Sequence, residues 1–88
     1  MTSPDEIIEI FTKINNNKDM AVFFQEILTP KEINDISLRW QLMKELNDGK
    51  TQRSIAAKHH ISLCKITRGS KILKKETSLT HQLLKDEY

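Results

Sequence analysis

Thr51-Gln52-Arg53-Ser54-Ile55-Ala56-Ala57-Lys58-His59-His60-Ile61-Ser62-Leu63-Cys64-Lys65-Ile66-Thr67-Arg68-Gly69 is the stretch that decides the fold. It holds two short helical segments, each preceded by a hydroxyl residue suited to an N-cap, Thr51 and Ser62. Counted from Gln52, Ile55 is fourth, Ala56 fifth, Ile61 tenth, Ser62 eleventh and Ile66 fifteenth. That spacing is the helix-turn-helix pattern, and each position has a physical reason. Ala56 is small because a second helix crosses close to it. Ile55, Ile61 and Ile66 close the wedge between the helices. Ser62 would cap the second helix, whose first residues then face a major groove. His60 stands where the turn needs positive φ and usually takes glycine, a conformation that histidine tolerates moderately. A hairpin of two packed helices in a protein-interaction domain would share much of this pattern.

Charge supports the nucleic-acid reading. The chain has 88 residues and a net charge of only +2, but the two parts differ. Residues 1–50 carry 6 Lys/Arg against 9 Asp/Glu, a net −3, and residues 51–88 carry 8 against 3, a net +5. From Arg53 to Lys75 there are seven bases (Arg53, Lys58, Lys65, Arg68, Lys71, Lys74, Lys75) and no acid. An acid-free basic block suits phosphate, although a solvated basic face without a partner has the same composition.

The flanking sequence is helical throughout. Ser3-Pro4-Asp5-Glu6 starts one helix, with Ile7, Ile8, Phe11 and Ile14 at helical spacing and Asn15-Asn16-Asn17 as its stop. Met20, Val22, Phe23, Phe24, Ile27 and Leu28 form a second. Thr29-Pro30-Lys31-Glu32 opens a third, carrying Ile33, Ile36, Trp40, Met43 and Leu46, with Gly49 just beyond its end. Thr77 or Ser78 begins the last, with Leu79, Leu83 and Leu84. Alternating strand patterns, internal repeats and linkers are absent. The expectation is all-α, a single domain over 1–88 with about six short helices. Residues 1–50 would serve dimerisation and the ligand side, 51–73 the helix-turn-helix, and 77–88 the C-terminal helix. So short a chain buries little core, and the first two helices are apolar on more than one side, so a homodimer with shared N-terminal helices is expected.

Several functions are excluded. One cysteine, Cys64, gives no disulfide framework and no cysteine zinc site. It is read as a groove residue or as a small buried hydrophobe; His59 and His60 lie nearby in sequence, but no third group orients them for catalysis. Paired carboxylates, metal-spaced ligands and a Gly-rich phosphate loop are missing, so no enzyme and no metal are expected. No apolar run reaches 18 residues, so no membrane span is expected. No charged leader with an apolar stretch opens the chain, so the expected location is the cytoplasm.

Ile66-Thr67-Arg68-Gly69-Ser70 followed by Leu73-Lys74 resembles the recognition-helix signature of the Trp repressor family. Leu28-Thr29-Pro30, Glu32 and Arg39 resemble its central helix, and Gln52-Arg53 the opening of its first DNA-binding helix. The resemblance implies an intertwined six-helix dimer that represses transcription by binding double-stranded operator DNA with L-tryptophan as co-repressor. It also implies site residues. Arg39 and Arg68 would flank the indole ring, Thr29 would meet the ligand carboxylate, and the carbonyl end around Leu28 would take its ammonium group. Met43, Gly69 and Ile72 would line the slot, Ile72 standing where the best-known relatives carry serine. For DNA, Arg53 would read a base, and Leu63, Cys64, Lys65 and Thr67 would meet base edges or thymine methyls. Gln52, Lys71 and Lys74 would meet phosphate. The alternative is a helix-turn-helix DNA-binding protein with a different ligand or none.

Overall fold

Capping chemistry sets most of the helix boundaries. A computed structural model describes residues 3–87, and among them are six α-helices and no strand: α1 Pro4–Lys13, α2 Asn17–Ile27, α3 Pro30–Asn47, α4 Gln52–His59, α5 Leu63–Lys74 and α6 Leu79–Glu87. Ser3 Oγ accepts the Asp5 N–H and starts α1 (3.2 Å), and Asn16 Oδ1 accepts the Asp19 N–H for α2 (2.8 Å). At α3 the capping box is complete: Thr29 Oγ1 accepts from Glu32 N–H at 3.2 Å, and Glu32 Oε1 accepts from Thr29 N–H at 2.9 Å. Those bonds hold the Glu32 carboxyl below its ordinary range. Ser78 Oγ, rather than Thr77, accepts the His81 N–H at the start of α6.

The chain divides into two units, Met1–Asp35 and Ile36–Tyr88, so the boundary falls within α3. In the first unit Phe11 packs edge-on against Phe23, with ring centroids 5.6 Å apart, and at a tilt against Phe24 at 6.0 Å. No residue of α1 or α2 is buried, and Ile8, Val22 and Ile27 are exposed. Ile14, expected on the inner face of α1, is instead its extended C-cap.

The second unit has a true core. Leu42 of α3, Ile55 of α4 and Ile66 of α5 are at most 5% exposed. Leu38, Leu46, Ala56 and Ile61 pack around them, and Leu84 of α6 is fully buried as well. The apolar spacing of α3 runs through Ile33, Ile36, Trp40, Met43 and Leu46. Of the expected residues Leu46 packs on the core and Met43 lies against Gly69, whereas Ile36 is exposed; Leu38, Leu42 and Glu45 also face inward. The amphipathicity of α3 is weak because Glu45 interrupts the apolar stripe that faces inward.

Ile55 and Ile66 each contribute roughly 1.5–3 kcal/mol through full burial of the side chain. Ile66→Ala is expected to cost about 2–5 kcal/mol, by lost transfer energy and the cavity left beside Leu42 and Ile55. Denaturant unfolding measures it; a loss below about 1 kcal/mol would show that the core closes elsewhere.

Candidate nucleic-acid interface

The helix-turn-helix is built as its sequence requires. Thr51 Oγ1 accepts from Ser54 N–H at 3.2 Å and caps α4. His60 ends α4 in the left-handed conformation, φ 55 and ψ 46. For a residue with a Cβ that conformation costs about 1–2 kcal/mol, less for a tolerant side chain. The Ile61 N–H then returns to the Ala56 carbonyl at 3.2 Å, closing a Schellman-type end whose apolar contact is Ile61 against the core. Ser62 has the extended backbone of an N-cap, but its exposed hydroxyl accepts no amide proton. The expected side-chain cap is therefore not made, and the first-turn N–H groups of α5 have no side-chain acceptor.

The outer face of α5 carries the residues read as groove-facing. Leu63, Cys64, Thr67, Arg68 and Lys71 line one shallow cavity of about 390 Å³. Their steps of three and four put them on one helical face. Cys64 is exposed, which removes the buried-hydrophobe reading. Lys65 and Lys74 are exposed on the same helix, and Arg53 is exposed on α4. Gln52 and Thr67 meet each other: the Thr67 hydroxyl donates to Gln52 Oε1 at 2.9 Å, tying the two helices together. Gln52 retains its amide N–H donors, whereas the Thr67 hydroxyl is committed to the tie.

The residues read as ligand-binding fall in both units. Within the second, Gly69 is buried against α3, where a Cβ would come within 3.1 Å of Met43 Sδ and 3.2 Å of Leu46 Cδ1. Only glycine allows α5 so near α3 without displacing those side chains. Ile72 is half-buried, and Arg39 and Arg68 are exposed, with no carboxylate partner among the described residues. Leu28, the C-cap of α2, and Thr29, the N-cap of α3, belong to the first unit.

Sequence reasoning missed Glu45. It is 1% exposed, yet it is a charged residue within the inward stripe of α3. Its Oε1 accepts from Lys58 Nζ at 3.1 Å and lies 3.6 Å from Lys50 Nζ; its Oε2 meets His59 Nε2 at 2.5 Å and Gln41 Nε2 at 3.3 Å. The His59 hydrogen bond is the main cause holding the carboxyl down from 4.5 to about 2; burial opposes it, and Lys58 and Gln41 add to it. An ionised carboxylate only accepts, so His59 Nε2 carries the proton of this bond. The signal available in sequence was the step of three from Leu42 to Glu45 with Lys58 and His59 downstream, which does not reveal a contact between helices. Lys58, counted in the basic block, is thus partly neutralised by Glu45.

No group of three His, Cys, Asp or Glu among the described residues could hold a metal ion, and no described helix is long and apolar enough to cross a membrane. The arrangement defines a helix-turn-helix protein with a basic, solvent-facing second helix. The family model for Trp repressor protein matches residues 3–87. A Trp operon repressor homolog of Xylella fastidiosa (strain M23) is 37% identical over 65 residues, covering 73% of this chain and 71% of that protein. Another, of Chlamydia trachomatis serovar D, is 34% identical over 68 residues, covering 76% and 72%. No solved structure matches the chain. The chain belongs to the Trp repressor family, and it is a transcription regulator of the repressor type rather than a member of an enzyme family.

Because Glu45 has a lower pKa in the folded chain than unfolded, its contribution to stability is whole above about pH 4.5 and is lost as pH falls through about 2. Denaturant unfolding from neutral pH down to about pH 2 is expected to show this decline, made shallower in Glu45→Gln. Identical declines in both proteins would assign the acid sensitivity to other carboxylates.

Proposed function

We propose that this chain represses transcription by binding operator DNA as a homodimer in the cytoplasm, with L-tryptophan as co-repressor. The observation that carries the reading is the α5 face of Leu63, Cys64, Arg68 and Lys71, exposed on a helix-turn-helix with no acid from Arg53 to Lys75. Arg53 would bond guanine bidentately, as arginine does in a major groove. Leu63, Cys64 and Lys65 would meet base edges, with Thr67 offering its methyl. Gln52, Lys71 and Lys74 would hold phosphates.

The dimer is supported by the first unit, whose two helices bury none of their apolar residues. It is supported further by α6, where Leu79 is 70% exposed. Such surface needs a cover, and a second copy supplies one. Residues 1–50 would then provide most of the shared core and the ligand side, and 51–73 the reading head. A two-fold dimer presents two α5 helices to half-sites about one helical turn apart, the spacing described for helix-turn-helix dimers, Trp repressor among them.

In the ligand reading, the flat guanidinium groups of Arg39 and Arg68 stack on the indole ring, and Met43, Gly69 and Ile72 line the slot. The roles of Leu28 and Thr29, ammonium and carboxylate partners, follow the resemblance alone. Ligand bound between α3 and α5 favours the DNA-competent arrangement over others, and the coupling is reciprocal: operator DNA tightens the ligand by the same factor. The apolar Ile72 favours a second reading, the same DNA-binding module with a different ligand or none.

A gel-shift titration with an operator recovered by selection from random duplexes distinguishes the two. L-tryptophan is expected to tighten operator binding, and an affinity that does not move would remove it as co-repressor. Arg39→Ala is expected to weaken calorimetric L-tryptophan binding about tenfold or more, the worth of one charge-assisted contact, while leaving non-specific DNA affinity intact. Lys71→Ala should instead reduce the salt slope of DNA binding by about 0.9. If Arg39→Ala abolished salt-sensitive binding while ligand affinity held, the roles would be reversed.

A further inference from the structure

Glu45 takes no part in the contacts described for DNA or ligand, yet it is buried and ionised. An apolar residue of similar volume often serves a buried site as well as an ion pair does. What a carboxylate adds is direction. Lys50 stands in the connection just before α4, and Lys58 and His59 are in its last turn. One α3 side chain therefore holds both the entry and the exit of α4. The residue after His59 is His60, the one non-glycine residue with positive φ among the described residues. Gly49, by contrast, serves the other left-handed position, at φ 87.

We propose that Glu45 is a positioning residue: its bond to His59 holds the non-glycine turn at His60 in the left-handed conformation and so fixes the angle between α4 and α5. The bond anchors the last α4 residue against α3. His60 then has no freedom to relax to negative φ without breaking either that bond or the Ile61-to-Ala56 closure. Backbone strain of this kind persists where the surroundings over-determine it. Glycine at position 60 would carry no such strain, and the turn would depend less on the anchor. The Thr67–Gln52 tie also joins α4 to α5, but at the first residue of α4, so the end of α4 at the His60 turn is held by Glu45. The consequence for operator recognition rests on the DNA-binding reading; the hold on the turn does not.

The test is a double-mutant cycle on the full chain: wild type, Glu45→Gln, His60→Gly and the pair. Two quantities are read in each. One is hydrogen exchange at the Ile61 amide by NMR; the other is affinity for the selected operator against an unrelated duplex. Glu45→Gln is expected to speed Ile61 exchange about tenfold and to weaken operator binding by a similar factor, the worth of one charge-assisted hydrogen bond. Non-specific affinity and its salt slope stay unchanged, because Glu45 meets no phosphate. Adding His60→Gly is expected to bring both quantities back to within about threefold of wild type. If the carboxylate merely added stability, its loss would lower the unfolding midpoint by the same amount whatever stood at position 60. Unchanged Ile61 exchange in Glu45→Gln, or losses that His60→Gly does not recover, overturn the proposal. Recovered exchange with an operator affinity that never moved would overturn the part that concerns recognition. If Glu45→Gln does not fold, His59→Leu removes the same bond from a partly exposed residue and is judged by the same outcomes. If the wild type binds no duplex at all, the DNA reading fails, and the exchange cycle alone still decides for or against Glu45.

Discussion

Leu42, Ile55 and Ile66 come from three different helices and meet in one cluster. The rest of the second unit depends on that contact. With Ile55 and Ile66 both inward, the opposite side of α5 must face outward, and the helical period assigns Cys64, Arg68 and Lys71 to it, with Leu63 at its edge. A one-position change in which residue of α5 enters the wedge would rotate that face by about 100°. Which residues α5 presents to solvent is thus set by packing on its inside. Gly69 adds a second constraint of the same kind, because it brings α5 down onto Met43 and Leu46.

Electrostatics divides the bases into two groups. Glu45 takes Lys50 and Lys58 toward the core unit, where the desolvated carboxylate needs them. Lys65, Arg68, Lys71 and Lys74 remain exposed along α5 with no carboxylate partner. The positive surface is therefore narrower than the composition implies and is concentrated on one helix and Arg53. Every loss of acid from this region raises the potential that a phosphate backbone meets. The one buried acid nearby is largely neutralised by its own partners, so it lowers that potential little.

The helix-turn-helix was legible because each of its positions accepts few residue types. A capping hydroxyl at Thr51, a small Ala56, a tolerant His60 and three spaced isoleucines leave little room for another arrangement, and the observed α4 and α5 bounds follow. Inner faces were less legible. On α3 the expected apolar residues divide, with Leu46 and Met43 packed inward and Ile36 exposed, while Leu38, Leu42 and Glu45 complete the inner side. Glu45 reads as a surface residue by type, since isolated carboxylates are costly to bury. Only the partners brought by α4 from thirteen and fourteen residues away make its burial affordable. The Gln52–Thr67 bond was hidden for the same reason, because spacing along a chain carries no information on which polar groups meet between helices. The candidate ligand residues came from resemblance. Of these, geometry brings Gly69 and Met43 into direct contact, while Arg39 and Arg68 are exposed.

The closeness of Gly69 to Met43 bears on how a ligand could act on DNA affinity at all. In the proposed reading the ligand lies between α3 and α5, which are already held together by the Leu42–Ile66 contact and by Gly69. A ligand changes an equilibrium only through its differential affinity for two arrangements. A rigid wedge would leave nothing for it to select. In that reading Met43 is the compliant element, since its unbranched thioether lies over Gly69 and has more rotamer freedom than a branched side chain. The stiff part of the unit, from Glu45 to the His60 turn, and the soft part, at Met43, lie on the same helix. In that reading the ligand acts by displacing Met43 from Gly69 rather than by swinging α5, since Glu45 ties α4 to α3 and the His60 turn ties α5 to α4.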